Sequence, residues 1–113
     1  MIDESRALLF KLQAEICKTL ADPKRLMIIH ALRDGEMSVS QLVADLGLPQ
    51  SNVSQHLAIL RDRGIVSTRR HGRTIFYSLA YPKIAEACDL VQSILEEQLA
   101  DSQVLAASLG SLD

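Results

Sequence analysis

Sulfur and long apolar runs are scarce in this sequence, and each scarcity excludes a class of protein. The 113 residues contain two cysteines, Cys17 and Cys88, which are too few for a disulfide framework and too far apart for a CxxC pair. No apolar run reaches the roughly 18 residues that a membrane-spanning helix needs, and no basic and apolar leader opens the chain. We therefore expect a soluble, cytoplasmic protein whose thiols are reduced.

The residue combinations of an enzyme are also missing. The sequence offers no carboxylate pair, no nucleophile with its base and no phosphate-cradling glycine loop, so we predict that it is not an enzyme. The length predicts one domain over residues 1–113, and 48% hydrophobic and 23% charged residues are ordinary for a globular chain. A chain this short buries a limited fraction of its surface, so pairing with a second copy would stabilise it.

The net charge of −2 is unexpected for a nucleic-acid-binding protein, but the charge is unevenly distributed. Residues 61–79 hold five arginines and one aspartate, a balance of +4, whereas residues 80–113 hold one lysine and six acidic residues, a balance of −5. Phosphate docks at a local basic patch whatever the net charge, so residues 61–79 are a candidate nucleic-acid contact. A merely solvated arginine cluster is the alternative.

Apolar spacing predicts a mainly α fold of five helices and one small β-hairpin. Leu9, Leu12, Ile16 and Leu20 recur at helical spacing and form one stripe on a first helix over residues 5–20.

Asp22 and Pro23 then start a second helix, because aspartate caps free amides and proline suits the first helical position. We predict that this helix runs to about Leu32, with Leu26, Ile29 and Leu32 facing inward.

Residues 38–64 have the pattern of a helix-turn-helix. A capping box of Ser38 and Gln41 starts a short third helix, and Gly47 ends it in a left-handed turn. The fourth helix is predicted from about Gln50 to Arg63. The inward residues expected on these two helices are Val39, Leu42, Val43, Leu46, Val53, Leu57 and Leu60.

The periodicity changes over residues 65–79, where β-branched and aromatic residues flank the turn sequence Arg70-His71-Gly72-Arg73. This pattern predicts a hairpin, the wing of a winged helix-turn-helix. A last helix is expected from about Pro82 to Leu99, and the small polar residues 101–113 are expected to fray.

The start of the fourth helix presents polar side chains without charge. Subtracting the inward residues leaves amides and hydroxyls, namely Gln50, Ser51, Asn52, Ser54 and Gln55. Gln and Asn can make paired hydrogen bonds to adenine, and Ser can contact base edges or phosphate. Such a face at a helix start fits entry into the major groove of DNA. An ordinary solvated face and a winged helix used for protein interaction are the alternatives.

Arginines near this face would supply contacts that do not depend on base sequence. Arg69, Arg70 and Arg73 surround the hairpin tip and Arg61 lies late in the fourth helix, from where they can reach phosphate or a narrow minor groove. We assign His56 to structure or a phosphate contact rather than to a metal, since no second ligand lies three or four residues away. The predicted partner is double-stranded DNA.

Three motifs resemble those of the ArsR/SmtB repressors: DPKRL at residues 22–26, QSNVSQHL at residues 50–57, and the GIV, RHGR and FY groups within residues 64–77. The resemblance covers about residues 12–100.

The resemblance implies a winged helix-turn-helix homodimer held by its first and last helices, residues 1–21 and 81–100. It implies a pseudo-palindromic operator, which the dimer binds until an inducer releases it. It also implies that Gln50, Ser51 and the pair Ser54 and Gln55 face the major groove.

The usual metal sites of that family are not found in this sequence. Arsenic and cadmium sensors often carry a Cys-x-Cys pair on the third helix, where this chain reads SVSQL at residues 38–42. Zinc and nickel sensors carry Asp-x-His and a later His on the last helix, where this chain reads YPK at residues 81–83 and no histidine follows His71. The inducer is therefore left open.

Cys17 and Cys88 are the remaining candidates for sensing, because they lie on the two helices expected to form the dimer contact. A sulfide- or persulfide-responsive branch of the family, similar in its Thr68-Arg69-Arg70 wing, uses two distant cysteines that bridge on oxidation, at positions other than these. Three interpretations stay open: inert cysteines without any metal or thiol sensing, thiol oxidation or persulfide sensing, and binding of a soft metal or metalloid ion.

Overall fold

The structure is a computed structural model that describes residues 1–102 and residue 107. Contacts divide the chain into two compact units, Met1–Pro82 and the unit that starts at Lys83. The helices, in chain order, are α1 (Glu4–Leu20), α2 (Pro23–Ala31), α3 (Val39–Leu46), α4 (Gln50–Asp62) and α5 (Lys83–Asp101). The strands are β1 (Met37–Ser38), β2 (Val66–His71) and β3 (Thr74–Leu79), and a 3₁₀ turn, Leu32–Asp34, follows α2. These elements give the predicted winged helix-turn-helix, with one strand more than expected.

Side-chain caps define the starts of the first two helices. The Asp3 carboxylate accepts the backbone N–H of Arg6 at 2.8 Å. Asp22 likewise accepts the N–H groups of Lys24 at 2.9 Å and Arg25 at 3.2 Å, and Pro23 occupies the first turn of α2. Each carboxylate satisfies amides that have no partner inside the helix, which confirms the start predicted at Asp22.

The predicted capping box starts α3. The backbone N–H of Gln41 donates to Ser38 Oγ at 3.2 Å, and the backbone N–H of Ser38 donates to Gln41 Oε1 at 2.8 Å. Gly47 ends α3 with φ of 66°, a left-handed conformation that glycine adopts without a Cβ clash. Only Leu48 and Pro49 then separate α3 from α4, so the turn between the two helices is tight.

The hydrophobic core of the first unit brings α2, α3 and α4 together with the start of β2. Its buried apolar residues are Ile28, Ile29, Leu32, Leu42, Val53, Leu57, Leu60, Ile65 and Val66. Burying a side chain of this size contributes about 1.5–3 kcal/mol. This set confirms the inward face predicted for α4, whereas on α3 only Leu42 is buried and Val39, Val43 and Leu46 are half-buried.

One inward residue predicted for α2 is wrong. Leu26 is 41% exposed, and Ile28 is fully buried instead. The inward face is centred on Ile28, Ile29 and Leu32, and Leu26 lies roughly 110° of helix rotation away from that centre. Arg25 falls near the centre of the same face and is half-buried.

The sheet has the order β1-β3-β2, and both pairings are antiparallel. β2 and β3 pair from Val66↔Leu79 to His71↔Thr74, so the turn contains only two residues, Gly72 and Arg73. Gly72 has φ of 63°, which matches the first position of a type II′ hairpin turn. Arg70 and His71 therefore belong to a strand rather than to the turn that the sequence predicted.

In the unit that starts at Lys83, the described residues form α5, which is one residue shorter at its start and two residues longer at its end than predicted. Leu90, Val91, Ile94 and Leu95 are between 50% and 67% exposed on it. The predicted fraying of residues 101–113 lies mostly outside the described residues. Asp101, which belonged to that prediction, is the last residue of α5.

Within the described part of the chain, no helix combines the length and the apolar character needed to cross a membrane.

Candidate nucleic-acid interface

The first turns of α4, which we call the reading helix, have one buried side and one exposed side. Val53 and Leu57 are fully buried. Gln50, Ser51 and the pair Ser54 and Gln55 are exposed, as the sequence predicted. Because these amides and hydroxyls can both donate and accept, the exposed side can match the mixed donor and acceptor pattern of base edges.

The reading helix differs from the three helices before it at its start. Pro49 occupies the N-cap position, and no side chain caps the helix there. The backbone N–H groups of the first turn are therefore available to an external acceptor, at the positive end of the helix dipole. Phosphate oxygens are such acceptors.

Asn52 and His56 lie on the flank of the reading helix that faces α2, and both are half-buried. Lys24 Nζ donates to Asn52 Oδ1 at 3.3 Å, and Arg25 Nε donates to His56 Nδ1 at 3.2 Å. The structure thus separates these two predicted DNA contacts from the exposed amides and hydroxyls.

Arg25 joins three segments of the first unit. Besides His56, its guanidinium donates from Nη1 to the backbone carbonyl of Thr19 in the last turn of α1, at 3.0 Å. The backbone N–H of Arg25 lowers the pKa of the Asp22 carboxyl, and the backbone N–H of Lys24 and the charge of Arg25 lower it further. The end of α1, the start of α2 and the reading helix are therefore tied through one side chain.

Sequence reasoning missed this role of Lys24 and Arg25, which it used only as part of a family motif. A signal was present, because two cations stand in the first turn of α2, where the helix dipole favours acidic residues. Cations at that unfavourable position indicate hydrogen-bond partners on another element, which are Asn52 for Lys24 and His56 for Arg25.

The hairpin of β2 and β3, which we call the wing, carries the predicted cationic side chains. Arg70 near its tip and Arg73 in its turn are exposed. Arg61, in the last turn of the reading helix, is exposed as well. Long, exposed guanidinium groups are suited to phosphate oxygens.

Arg69 is exposed but engaged within the protein. Its guanidinium meets the Glu36 carboxylate with Nη2–Oε1 and Nε–Oε2 distances of 2.6 Å and 3.1 Å. It also lies 5.1 Å from the centroid of the Phe76 ring. The hydrogen bond from Arg69 lowers the pKa of the Glu36 carboxyl, and the charge of His71 lowers it further. The sequence placed Arg69 beside Arg70 as a phosphate contact and did not anticipate Glu36.

The family model described as "Bacterial regulatory protein, arsR family" matches residues 22–68, which span α2, the helix-turn-helix and the first half of β2. The uncharacterized HTH-type transcriptional regulator Rv0081 of Mycobacterium tuberculosis is 44% identical over 94 residues, which are 82% of this chain and 82% of that protein. The chain belongs to the arsR family.

Further relatives support this membership. The biofilm growth-associated repressor of Agrobacterium fabrum is 46% identical over 72% of this chain and 69% of its own length. The crystal structure of Rv0081 has a TM-score of 0.73 over 82% of this chain and 94% of that one. The homodimeric winged helix-turn-helix DNA-binding domain Mb0332 of Mycobacterium bovis is 30% identical, with a TM-score of 0.76 over 88% of this chain and 93% of that one. This arsR-family protein is a DNA-binding transcriptional regulator.

The two thiols of this arsR-family protein have different surroundings. Cys17 on α1 is exposed, and Cys88 on α5 is half-buried; both are free thiols. Burial raises the pKa of the Cys88 thiol, and the charge of Asp89 raises it further. A raised pKa lowers the thiolate fraction at neutral pH, and the thiolate is the form that reacts with oxidants and binds metals.

Among the described residues, no group of three or more His, Cys, Asp or Glu side chains is arranged to hold a metal ion. A soft metal or metalloid at Cys17 and Cys88 therefore remains a hypothesis that rests on the sequence alone.

Proposed function

We propose that this protein is a homodimeric transcriptional repressor that acts in the cytoplasm, without catalytic activity of its own. It binds a pseudo-palindromic operator and leaves it when an inducer binds. The observation that carries the proposal is the exposed, uncharged start of the reading helix, backed by fully buried residues and belonging to the same compact unit as a cationic wing. Repression is supported by the relative from Agrobacterium fabrum, which is named a repressor.

Contacts to base edges are assigned to Gln50, Ser51 and the pair Ser54 and Gln55. Each of them is exposed, and each can donate and accept hydrogen bonds. A paired hydrogen bond from a glutamine to adenine contributes about 1–3 kcal/mol of discrimination against other bases. These four side chains are therefore expected to determine which sequence is bound.

Contacts to phosphate are assigned to Arg61, Arg70 and Arg73, together with the first backbone amides of the reading helix. Three arginines per subunit give six phosphate contacts per dimer, for which the logarithm of affinity falls with the logarithm of salt concentration at a slope of about −5. These contacts attract any duplex, and they hold the reading helix close enough to test the bases.

Self-association is supported by large apolar side chains left exposed on two helices. On α1 these are Leu8, Leu9, Phe10, Leu12 and Ile16, which are 45% to 55% exposed. Exposed apolar patches of this kind mark sites of protein association in soluble proteins. The exposed leucines, valine and isoleucine of α5 are assigned to the same contact, and the related domain Mb0332 is homodimeric.

Selection from a random-sequence duplex library tests the DNA proposal. The wild-type protein should enrich a two-fold symmetric sequence whose half-sites lie about 34 Å apart, one helical turn of DNA. Enrichment of no sequence, together with salt-insensitive DNA binding, would favour the alternative of a protein-interaction module.

Sedimentation velocity tests the dimer. Leu12→Glu should convert the dimer to single chains, because it places two charges in an apolar contact where they have no partner. Lys11→Glu, at a neighbouring exposed position, is the matched control and should leave the dimer intact. A wild-type protein that sediments as single chains at working concentrations would contradict the proposal.

The inducer is tested with the selected duplex in a gel shift, with and without arsenite, zinc, persulfide and peroxide. If a thiol senses the inducer, Cys17→Ala or Cys88→Ala should keep the affinity for DNA and lose the response. A full response in the double variant would exclude both thiols. A reporter gene downstream of the duplex distinguishes repression, in which expression falls when the protein is present, from activation.

A further inference from the structure

Glu36 and Arg69 form an ion pair between the wing and the segment that enters the helix-turn-helix. The guanidinium and the carboxylate meet through two hydrogen bonds, at 2.6 Å and 3.1 Å. Paired hydrogen bonds of this type fix the angle between the two groups as well as their distance. The Phe76 ring, with its centroid 5.1 Å from the guanidinium, adds a cation–π contact. Three interactions thus hold a single arginine side chain.

The strand register separates Arg69 from its neighbour Arg70. Arg69 lies across from Phe76, and Arg70 lies across from Ile75. Successive side chains of a strand point to opposite faces, so the two arginines occupy opposite faces of the wing. Within the described residues, Arg70 makes no ion pair, whereas Arg69 is paired with a carboxylate. Two adjacent arginines therefore have different chemical surroundings.

Glu36 lies where it can hold the wing in position relative to α3. It directly precedes β1, which leads without a break into α3. β1 pairs with β3 through two residue pairs only, whereas β2 and β3 share six. The Glu36–Arg69 ion pair is a second connection between this segment and the wing, in addition to the short β1–β3 pairing. Arg69 lies three residues before Gly72, the first residue of the hairpin turn.

We propose that Arg69 is a positioning residue, which Glu36 and Phe76 hold so that Arg70 and Arg73 meet the phosphates beside the reading helix. The proposal rests on the DNA contacts proposed above. A phosphate contact by Arg69 itself would have only the N–H groups that Glu36 leaves free, on a guanidinium whose charge the carboxylate offsets. It would also bring the Glu36 carboxylate close to the DNA, where like charges repel.

The pair stays formed at the pH values at which DNA binding is measured. The hydrogen bond lowers the pKa of the Glu36 carboxyl and raises the pKa of the Arg69 guanidinium. Since the carboxyl is more acidic in the folded protein, the pair makes a contribution to stability above the ordinary glutamate pKa that is small because both groups are exposed. This contribution is lost only as the pH falls through the lowered pKa.

The substitution Glu36→Gln tests the proposal by the sign of its effect. It removes a negative charge near the DNA and would release Arg69, so a phosphate contact by Arg69 predicts tighter binding. A positioning role predicts weaker binding, by roughly threefold to tenfold in fluorescence anisotropy with the duplex that the wild-type protein selects. Asp34→Asn is the matched control, because it removes the same charge at an exposed position two residues earlier. It should leave the affinity unchanged or slightly raised.

A charge exchange provides the second arm. Arg69→Glu alone should weaken binding by about tenfold or more, and Arg69→Glu with Glu36→Arg should return the affinity to within about threefold of wild type. Thermal unfolding of each variant should change little, because the pair is exposed. Tighter binding by Glu36→Gln, or an exchanged variant as weak as Arg69→Glu, would overturn the positioning role. A wild-type protein that selects no duplex would instead overturn the DNA proposal on which it rests.

Discussion

The reading helix and the wing expose side chains of different length and charge. The reading helix presents short, uncharged groups on a helix whose opposite side is fixed by Val53, Leu57 and Leu60, all fully buried. The wing presents long cationic groups on a hairpin, of which only Val66 is buried. Short groups on a rigid support can discriminate between bases, whereas long charged groups tolerate variation in the position of a phosphate. Discrimination and attraction are thus assigned to separate elements.

Removing the wing charges should have the largest effect on this comparison. Arg70→Ala with Arg73→Ala removes four phosphate contacts per dimer, so affinity should fall roughly a hundredfold or more for every duplex. The salt slope should decrease in magnitude by about 3 to 4 at the same time. Anisotropy titrations over a range of salt concentrations measure both. A loss of affinity confined to the selected duplex would contradict the division between the two elements.

Shortening one side chain of the reading helix should give a smaller and selective effect. Gln55→Ala should weaken binding to the selected duplex by about tenfold to a hundredfold, because one base contact is lost per subunit. Binding to a random-sequence duplex and the salt slope should stay as in the wild type. The competition ratio between the two duplexes is the measurement, and an unchanged ratio would remove Gln55 from the base contacts.

The contact between α2 and the reading helix should matter for both stability and DNA binding. His56→Leu leaves Arg25 Nε without its acceptor and should lower the free energy of unfolding by about 1–2 kcal/mol. His56→Gln offers an amide oxygen at a similar position and should retain most of the wild-type free energy of unfolding. Urea unfolding and anisotropy on the selected duplex compare the two variants. If His56 contacted DNA alone, both would unfold like the wild type.

Ser38 connects α3, the helix before the reading helix, to the wing, and its loss should have the smallest effect on recognition. It caps α3 and pairs with Phe76 of the wing. Ser38→Ala should lower the free energy of unfolding by about 1 kcal/mol through the lost cap. The ratio of affinities for selected and random duplexes should not change. A change in that ratio would show that the cap also sets the orientation of the reading helix.

Local chemistry made most of the fold predictable from the sequence. Asp22, the pair Ser38 and Gln41, and Gly47 set helix ends through their own side chains or through a left-handed turn, and these signals are short-range. β1 was missed because its two residues depend on a partner 38 to 40 residues away in sequence. Leu26 was misplaced because a stripe of residues at helical spacing does not fix which part of it is most deeply buried.

The candidate interface was predictable in residue type but not in partners. The exposure of Gln50, Ser51 and the pair Ser54 and Gln55 followed from subtracting the apolar residues. The internal bonds of Asn52, His56 and Arg69 did not, since their partners lie on other segments, 28 to 33 residues away. Contacts of this length depend on how elements pack, which residue periodicity does not encode.

The missing cap at Pro49 has a consequence for how the protein and the operator fit together. Asp3, Asp22 and Ser38 each complete the first turn of their own helix with a side-chain oxygen, and the reading helix has no such oxygen. A phosphate of the operator would supply it and so finish the helix from outside. Amide hydrogens of the first turn of the reading helix should then exchange with solvent more slowly in the DNA complex than in the free protein.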